Sequence, residues 1–201
     1  AEKALREAIS MGCDDGILLS GKEFAGSDTW STAYALAQSI KKIENYDLII
    51  TGERATDGDT GQVGPGIASF QDLPLSSYTS KVVELTDYNL KVERLVEEGY
   101  ELLKMPLPAL LTVVKEISYP RLPTLRGKQR ARRAKIKHWS AEEVKMDQSC
   151  LGLEGSPTRV VNIDHPKVTR NGEVVSINDD KSSLASATDR FLQFLNEKEI
   201  I

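Results

Sequence analysis

The stretch from Thr51 to Gly66, TGERATDGDTGQVGPG, concentrates residue types that hold a phosphorylated nucleotide. Gly52, Gly58, Gly61 and Gly64 permit positive φ and let the backbone approach a ligand closely. Thr56, Thr60 and Gln62 supply neutral hydrogen-bonding groups, and Arg54 supplies a positive charge. Amides that follow Thr60, at the start of a helix, face a ligand and favour phosphate. Asp57 and Asp59 suit ribose hydroxyls or capping better than phosphate, unless a metal intervenes. With Ala55 and Val63 these residues make a candidate cofactor-binding run from Gly52 to Gly64. The spacing is neither G-x-G-x-x-G nor a P-loop. Asp57-Gly58-Asp59 is not an EF-hand loop, because no Glu follows at the required position. The competing reading is a tight strand-to-helix connection that holds no ligand.

A second region is basic. Lys128, Arg130, Arg132, Arg133, Lys135 and Lys137 place six positive charges within ten residues. Such a run is commonly a solvated face. No aromatic residue interleaves it before Trp139, which disfavours single-stranded nucleic acid as its partner. Nothing in the chain resembles an acid–base or nucleophilic catalyst. The two histidines, His138 and His165, stand near no nucleophile motif, and the two cysteines form neither a metal cluster nor a disulfide framework. Cys13, between a helix end and a strand, reads as a small buried residue.

The elements that must position the loop follow from hydrophobic period. Ala4, Leu5, Ala8, Ile9 and Met11 repeat at helical spacing, with Gly12 as the C-cap. Residues 16–20 form a short apolar run that reads as a buried strand. Ser27 or Asp28 can cap a helix from Thr29 to Ile43, whose Ala33, Leu36, Ala37, Ile40 and Ile43 make one stripe. Residues 46–51 read as another buried strand, and a third helix begins near Gly61–Gly64 and ends near Phe70. This rhythm predicts an α/β fold with a parallel sheet, ligands gathering at the carboxyl ends of its strands.

After residue 78 the period changes to two. Three alternating runs between Tyr78 and Lys104, separated by turn signals at residues 87–89 and 98–99, predict an inserted β-meander. Residues 107–114 are an apolar strand returning to the core. Pro120 and Pro123 argue against regular structure across Lys115–His138, apart from a short edge strand at residues 135–139. Ser140 to Glu143 is a capping box. Residues 147–180, rich in Gly, Pro, Asn and Asp, read as an extended arm that needs a partner surface, and residues 182–201 as a final amphipathic helix. The division is therefore a nucleotide-binding domain at 1–146 and an arm with its helix at 147–201.

The 201 residues carry a net charge of −4, with 40% hydrophobic and 28% charged residues. That composition fits a globular protein and disfavours a whole-chain nucleic-acid binder. No apolar run is long enough for a membrane span. The opening residues form a helix pattern and not a secretory signal.

Three segments in order resemble the β subunit of electron transfer flavoproteins: the glycine-rich loop, Ala4–Gly12 (ALREAISMG), and residues 108–112 (PALLT) followed by residues 120–126 (PRLPTLR) and the basic run. The resemblance covers nearly the whole chain. It implies a Rossmann-like parallel sheet of the adenine-nucleotide-binding type, with the meander inserted and the C-terminal arm wrapping an FAD-carrying α subunit. Family β subunits carry a further strand–helix–strand ahead of the segment seen here. The resemblance also implies a partner-recognition loop at 113–135. There Leu125 anchors in an apolar pocket of an acyl-CoA dehydrogenase-type flavoenzyme, and Arg121, Arg126, Lys128, Arg130 and Arg132 steer its acidic face.

One branch of the family binds structural AMP in the β subunit. Another binds a second FAD, takes electrons from NADH and divides them between the dehydrogenase-side acceptor and ferredoxin or flavodoxin. The small residues at Gly58 and Gly61 favour the second, bifurcating branch. Either way the chain has no stand-alone reaction. Its compartment is the bacterial cytoplasm, or the mitochondrial matrix in a eukaryote. The rival from another class is a nucleotide-sensing domain of the universal-stress type, which shares the sheet rhythm.

Overall fold

A stripe of small residues on the second helix builds the main core. A computed structural model describes residues 1–163, 174–178 and 180–198. Helix α1 (Glu2–Met11) ends at Gly12, which adopts φ +129°. Strand β1 (Ile17–Leu19) follows, then α2 (Thr29–Ile43), capped by Asp28, whose carboxylate accepts from the Ser31 amide at 3.0 Å. Next come β2 (Leu48–Gly52), the glycine-rich loop and α3 (Val63–Gln71). Strands β3 (Leu75–Leu85), β4 (Asn89–Val96) and β5 (Gly99–Pro106) form the meander, and β6 (Ala109–Val113) returns to the centre.

These strands form one sheet in the order β2-β6-β3-β4-β5. β6 lies parallel to both β2 and β3, while β3–β4 and β4–β5 are antiparallel. The alternation along β6 feeds two cores. Leu110 packs with Ala33 and Ala37 of α2, Ile67 and Ala68 of α3, and Ile49. Ala109 and Leu111 pack with Leu90 and Val92 of β4 and Met105 of β5. The alanines and Gly66 let α2 and α3 approach closely: a Cβ on Gly66 would stand 2.7 Å from that of Ala33. β3 changes partner partway, with a register shift between Ser76 and Thr79 where it passes from β6 to β4.

β1 does not join β2 in this sheet. It pairs in parallel with β7 (Lys137–Trp139) as a separate two-stranded sheet. Irregular structure across Lys115–His138 is also corrected. Residues past the prolines form helix α4 (Leu125–Arg133), with the Thr124 hydroxyl accepting from the Gly127 amide at 3.0 Å. Pro120 and Pro123 lie upstream of that cap, and Arg, Lys, Gln and Ala downstream of it are good helix formers. Cys13 is exposed rather than buried, since the chain leaves α1 there toward solvent.

The capping box at Ser140 opens the short α5 (Ala141–Val144), and α6 (Gly152–Gly155) follows. Ala141, Met146 and Leu151 are buried with Ala35 on α2. The first compact unit accordingly spans Ala1–Val160, fourteen residues past 146. The second unit, Val161–Ile201, contains α7 (Lys181–Glu197), capped by Asp180. Residues 164–173, which hold His165 and part of the expected arm, lie outside the described residues, as do Asp179 and residues 199–201. Among the described residues no helix is long and apolar enough to cross a membrane.

Candidate functional site

The carboxyl ends of β2 and β6 lie side by side, Thr51 opposite Thr112 and Gly52 opposite Val113. The loop leaves this edge with the Glu53 amide still bonded to the Val113 carbonyl at 3.0 Å. Arg54 through Thr60 are all exposed. The Asp59 amide bonds back to the Ala55 carbonyl at 3.0 Å, and Asp59 and Gly61 take the left-handed φ values +51° and +64°. The Asp57 carboxylate accepts from the Gly58 amide at 2.9 Å, a local turn bond. Arg54 pairs with Asp59 at 3.2 Å, so within the chain its charge is matched by a loop carboxylate. An exposed pair of this kind contributes little to stability.

Positive potential for a phosphate comes mainly from α3. Gln62 occupies its N-cap without a side-chain cap bond; its side-chain oxygen instead accepts from the Thr29 hydroxyl at 2.9 Å, tying the loop to the start of α2. Pro65 has no N–H and the Gly66 amide bonds to the Gln62 carbonyl at 2.9 Å, so the first-turn donors left for an anion are the Val63 and Gly64 amides. Gly64 sits in that turn because nothing larger fits. A Cβ there would stand 2.5 Å from Thr112 Cγ2 and 2.6 Å from Thr51 Oγ1. This contact brings the helix end directly onto the strand ends.

Thr51 Oγ1 is buried and has no hydrogen-bond partner among the described residues. A buried hydroxyl left in that state is uncommon. At this edge the fold therefore leaves hydrogen-bonding capacity unused. A cradle that a side chain would fill, two free helix amides and an orphaned hydroxyl at a sheet's carboxyl edge suit a phosphate group. Gly52, Arg54, Ala55, Thr56, Asp57, Gly58, Asp59, Thr60, Gly61, Gln62, Val63 and Gly64 all lie on this one edge or the loop above it. Asp28 lies at the base of α2. Burial pushes its pKa up, but hydrogen bonds from the Ser31 amide and from the Thr158 hydroxyl and amide outweigh this and leave it lowered. Thr51, Thr112, Thr29 and Asp28 complete the neighbourhood; Thr51 opens the stretch that the sequence singles out and Asp28 is one of the two cap candidates for α2, whereas Thr112 carries no sequence signal for the site.

The basic segment makes a second surface. Leu125, first residue of α4, is 83% exposed, near the equally exposed Leu122 and Tyr119. Arg121, Arg126, Lys128 and Arg132 are exposed beside it. Arg130 differs: its guanidinium donates to the carbonyls of Ile9 (3.0 Å) and Cys13 (2.6 Å), satisfying the end of α1. Arg6 reciprocates from α1 to the Ala131 and Ala134 carbonyls at the end of α4. Gly127 sits where a Cβ would overlap the Ser10 carbonyl, so the two helices are locked together. The loop expected at 113–135 is thus, in its second half, a rigid helix that presents Leu125 at its tip.

Comparison with known proteins places the chain among relatives that match it along most of its length. Residues 1–144 match the model of the electron transfer flavoprotein domain. The chain is 42% identical, over its full length and 75% of the relative's, to an electron transfer flavoprotein subunit beta of Thermoanaerobacterium thermosaccharolyticum. It is 37% identical to the caffeyl-CoA reductase-Etf complex subunit CarD of Acetobacterium woodii, again over its full length and 75% of the relative's. It is 41% identical to protein FixA of Azotobacter vinelandii, over 93% of this chain and 69% of the relative's.

Proposed function

We propose, for a chain that belongs to the electron transfer flavoprotein family, that it is the β subunit of an αβ heterodimer and holds FAD in the Gly52–Gly64 loop. Membership of this family sets aside the universal-stress reading. The observation that carries the FAD assignment is the joint edge of β2, β6 and α3, with Gly64 packed on Thr51 and Thr112 and the Val63 and Gly64 amides free. The loop from Arg54 to Thr60 is exposed and small at Gly58, where nothing lies within 4 Å of an added Cβ. Such room suits a dinucleotide, whereas AMP needs less.

A flavin held by these residues would supply the redox chemistry, taking a hydride from NADH and dividing its electrons between the α-subunit side and ferredoxin or flavodoxin. This chain's residues would bind and orient it: the Val63 and Gly64 amides as donors to a pyrophosphate, and Asp57 and Asp59 as acceptors for ribose hydroxyls. Leu125 is the anchor for an acyl-CoA dehydrogenase-type flavoenzyme, with Arg121, Arg126, Lys128 and Arg132 steering its approach. The caffeyl-CoA reductase complex named for one relative supports a CoA-ester flavoenzyme as partner. The exposed Leu184, Phe191 and Phe194 of α7 support a C-terminal arm that covers the α subunit. The compartment is the bacterial cytoplasm.

The test is cofactor content. The protein is purified with its α subunit and denatured, and released FAD and AMP are counted per heterodimer. Two FAD and no AMP is the expected result. One FAD and one AMP would refute bifurcation and make the chain the structural half of a simple shuttle. No flavin at all would refute the electron-transfer reading.

A further inference from the structure

Tyr78 adopts a conformation that the sheet around it does not require. Its φ is +54°, in the left-handed region, inside β3. A bulky aromatic there is strained, and such strain persists where the surroundings impose it, commonly at binding sites. The register shift between Ser76 and Thr79 brackets it. Its amide leaves the strand ladder and donates to the Thr112 hydroxyl at 3.1 Å. A bulge of this kind re-aims a side chain.

Here the ring joins neither core. Tyr78 is 42% exposed, and its hydroxyl lies 3.6 Å from the position a Cβ on Gly61 would occupy. The side chain therefore reaches from β3, past the carboxyl end of β6, to the start of α3. Its hydroxyl makes no hydrogen bond among the described residues. Gly61 stands two residues ahead of Val63, which with Gly64 carries the free first-turn amides of α3, and the orphaned Thr51 hydroxyl lies against Gly64. A Gly61 side chain would meet the Tyr78 hydroxyl, so the two positions fit each other.

We infer that Tyr78 is a ligand-binding residue of the nucleotide site, held strained so that its hydroxyl donates to a phosphoryl oxygen gathered at the N-terminus of α3. The inference rests on the nucleotide reading of the Gly52–Gly64 loop. A phosphoryl oxygen is the matching acceptor because donors and the positive end of the helix dipole converge beside the hydroxyl. The adenosine moiety then lies beyond its reach.

The test uses the αβ heterodimer depleted of its β-site nucleotide, titrated with AMP, with FAD and with adenosine, which lacks phosphate. In Tyr78→Phe the ring and its volume remain and only the hydroxyl is lost. The expected result is AMP and FAD binding weakened about tenfold or more. Adenosine affinity should stay within about twofold, and the nucleotide-free unfolding midpoint should not move. Unchanged AMP and FAD affinity would overturn the inference. So would an equal loss for adenosine, or a lowered nucleotide-free midpoint, since either assigns the hydroxyl to structure. If the unsubstituted heterodimer binds neither AMP nor FAD, the nucleotide reading itself fails, a result distinct from any Tyr78→Phe outcome.

Discussion

Gly64→Ala separates close packing from helix propensity, because the two pull in opposite directions. In an exposed helix interior, Ala is favoured over Gly by about 1 kcal/mol, and by less in a first turn. Against that, the added Cβ would stand 2.5 Å from Thr112 Cγ2 and 2.6 Å from Thr51 Oγ1. Neither neighbour yields easily. Thr112 is 1% exposed, and its hydroxyl holds the Tyr78 amide, so a rotamer change costs that bond. Overpacking of this kind costs about 1–3 kcal/mol. The net expectation is a destabilisation of about 1–2 kcal/mol. For a unit of this size that lowers Tm by about 2–8 °C. The assay is thermal unfolding of the heterodimer at zero and at saturating nucleotide, since bound ligand shifts Tm on its own. Gly58→Ala is the control: nothing lies within 4 Å of its Cβ, so its Tm stays at the wild-type value. A Gly64→Ala protein as stable as wild type, or more so, would refute the direct seating of α3 on the strand ends. The anion cradle would fall with it.

Asp28→Ala removes the α2 cap and the acceptor for Thr158, at a cost of about 1–2 kcal/mol at pH 7. Because the folded pKa of Asp28 is lowered, its stabilisation is present above the ordinary Asp range and lost as pH falls through the lowered value. The urea midpoints of wild type and variant should therefore differ at pH 7 and converge toward pH 3; a constant gap would refute the charged-cap account. Leu125→Ala, at an 83% exposed position, should leave stability within about 0.5 kcal/mol. Electron transfer to the dehydrogenase should slow severalfold with nucleotide content unchanged, and an unaltered rate would end its role as anchor.

The elements that position the nucleotide loop were legible because each combined a strong period with a local stop or start. α2 shows this best: its apolar stripe, its bounds at Thr29 and Ile43 and a cap narrowed to Ser27 or Asp28 all follow from neighbours in sequence. α4 was not legible. Two prolines just upstream dominate the local signal, while the cap that starts the helix is one threonine with no apolar stripe behind it. α4 has a single buried residue, Ala131, so what stabilises it is tertiary: the reciprocal Arg6 and Arg130 bonds to α1, more than a hundred residues away in the chain.

The same distinction explains which part of the site could be read. A glycine in a loop announces freedom of φ but not its use, and Gly58, Gly61 and Gly64 look alike in the sequence. The fold separates them. Gly58 adjoins open space, Gly61 is in a left-handed turn facing Tyr78, and Gly64 is packed against two threonines. The partners that make this difference, Thr51, Tyr78 and Thr112, lie on three strands, and they meet only because β6 inserts between β2 and β3. Hydrophobic period identifies β6 as a buried strand but says nothing about where it inserts. Thr112 is the clearest consequence: within an apolar run it reads as one more β-branched core residue. Yet it forms the floor under Gly64 and accepts the amide that lets Tyr78 leave its strand. A substitution at Thr112 should therefore disturb the helix seat and the tyrosine together, whereas one at Gly58 should disturb neither.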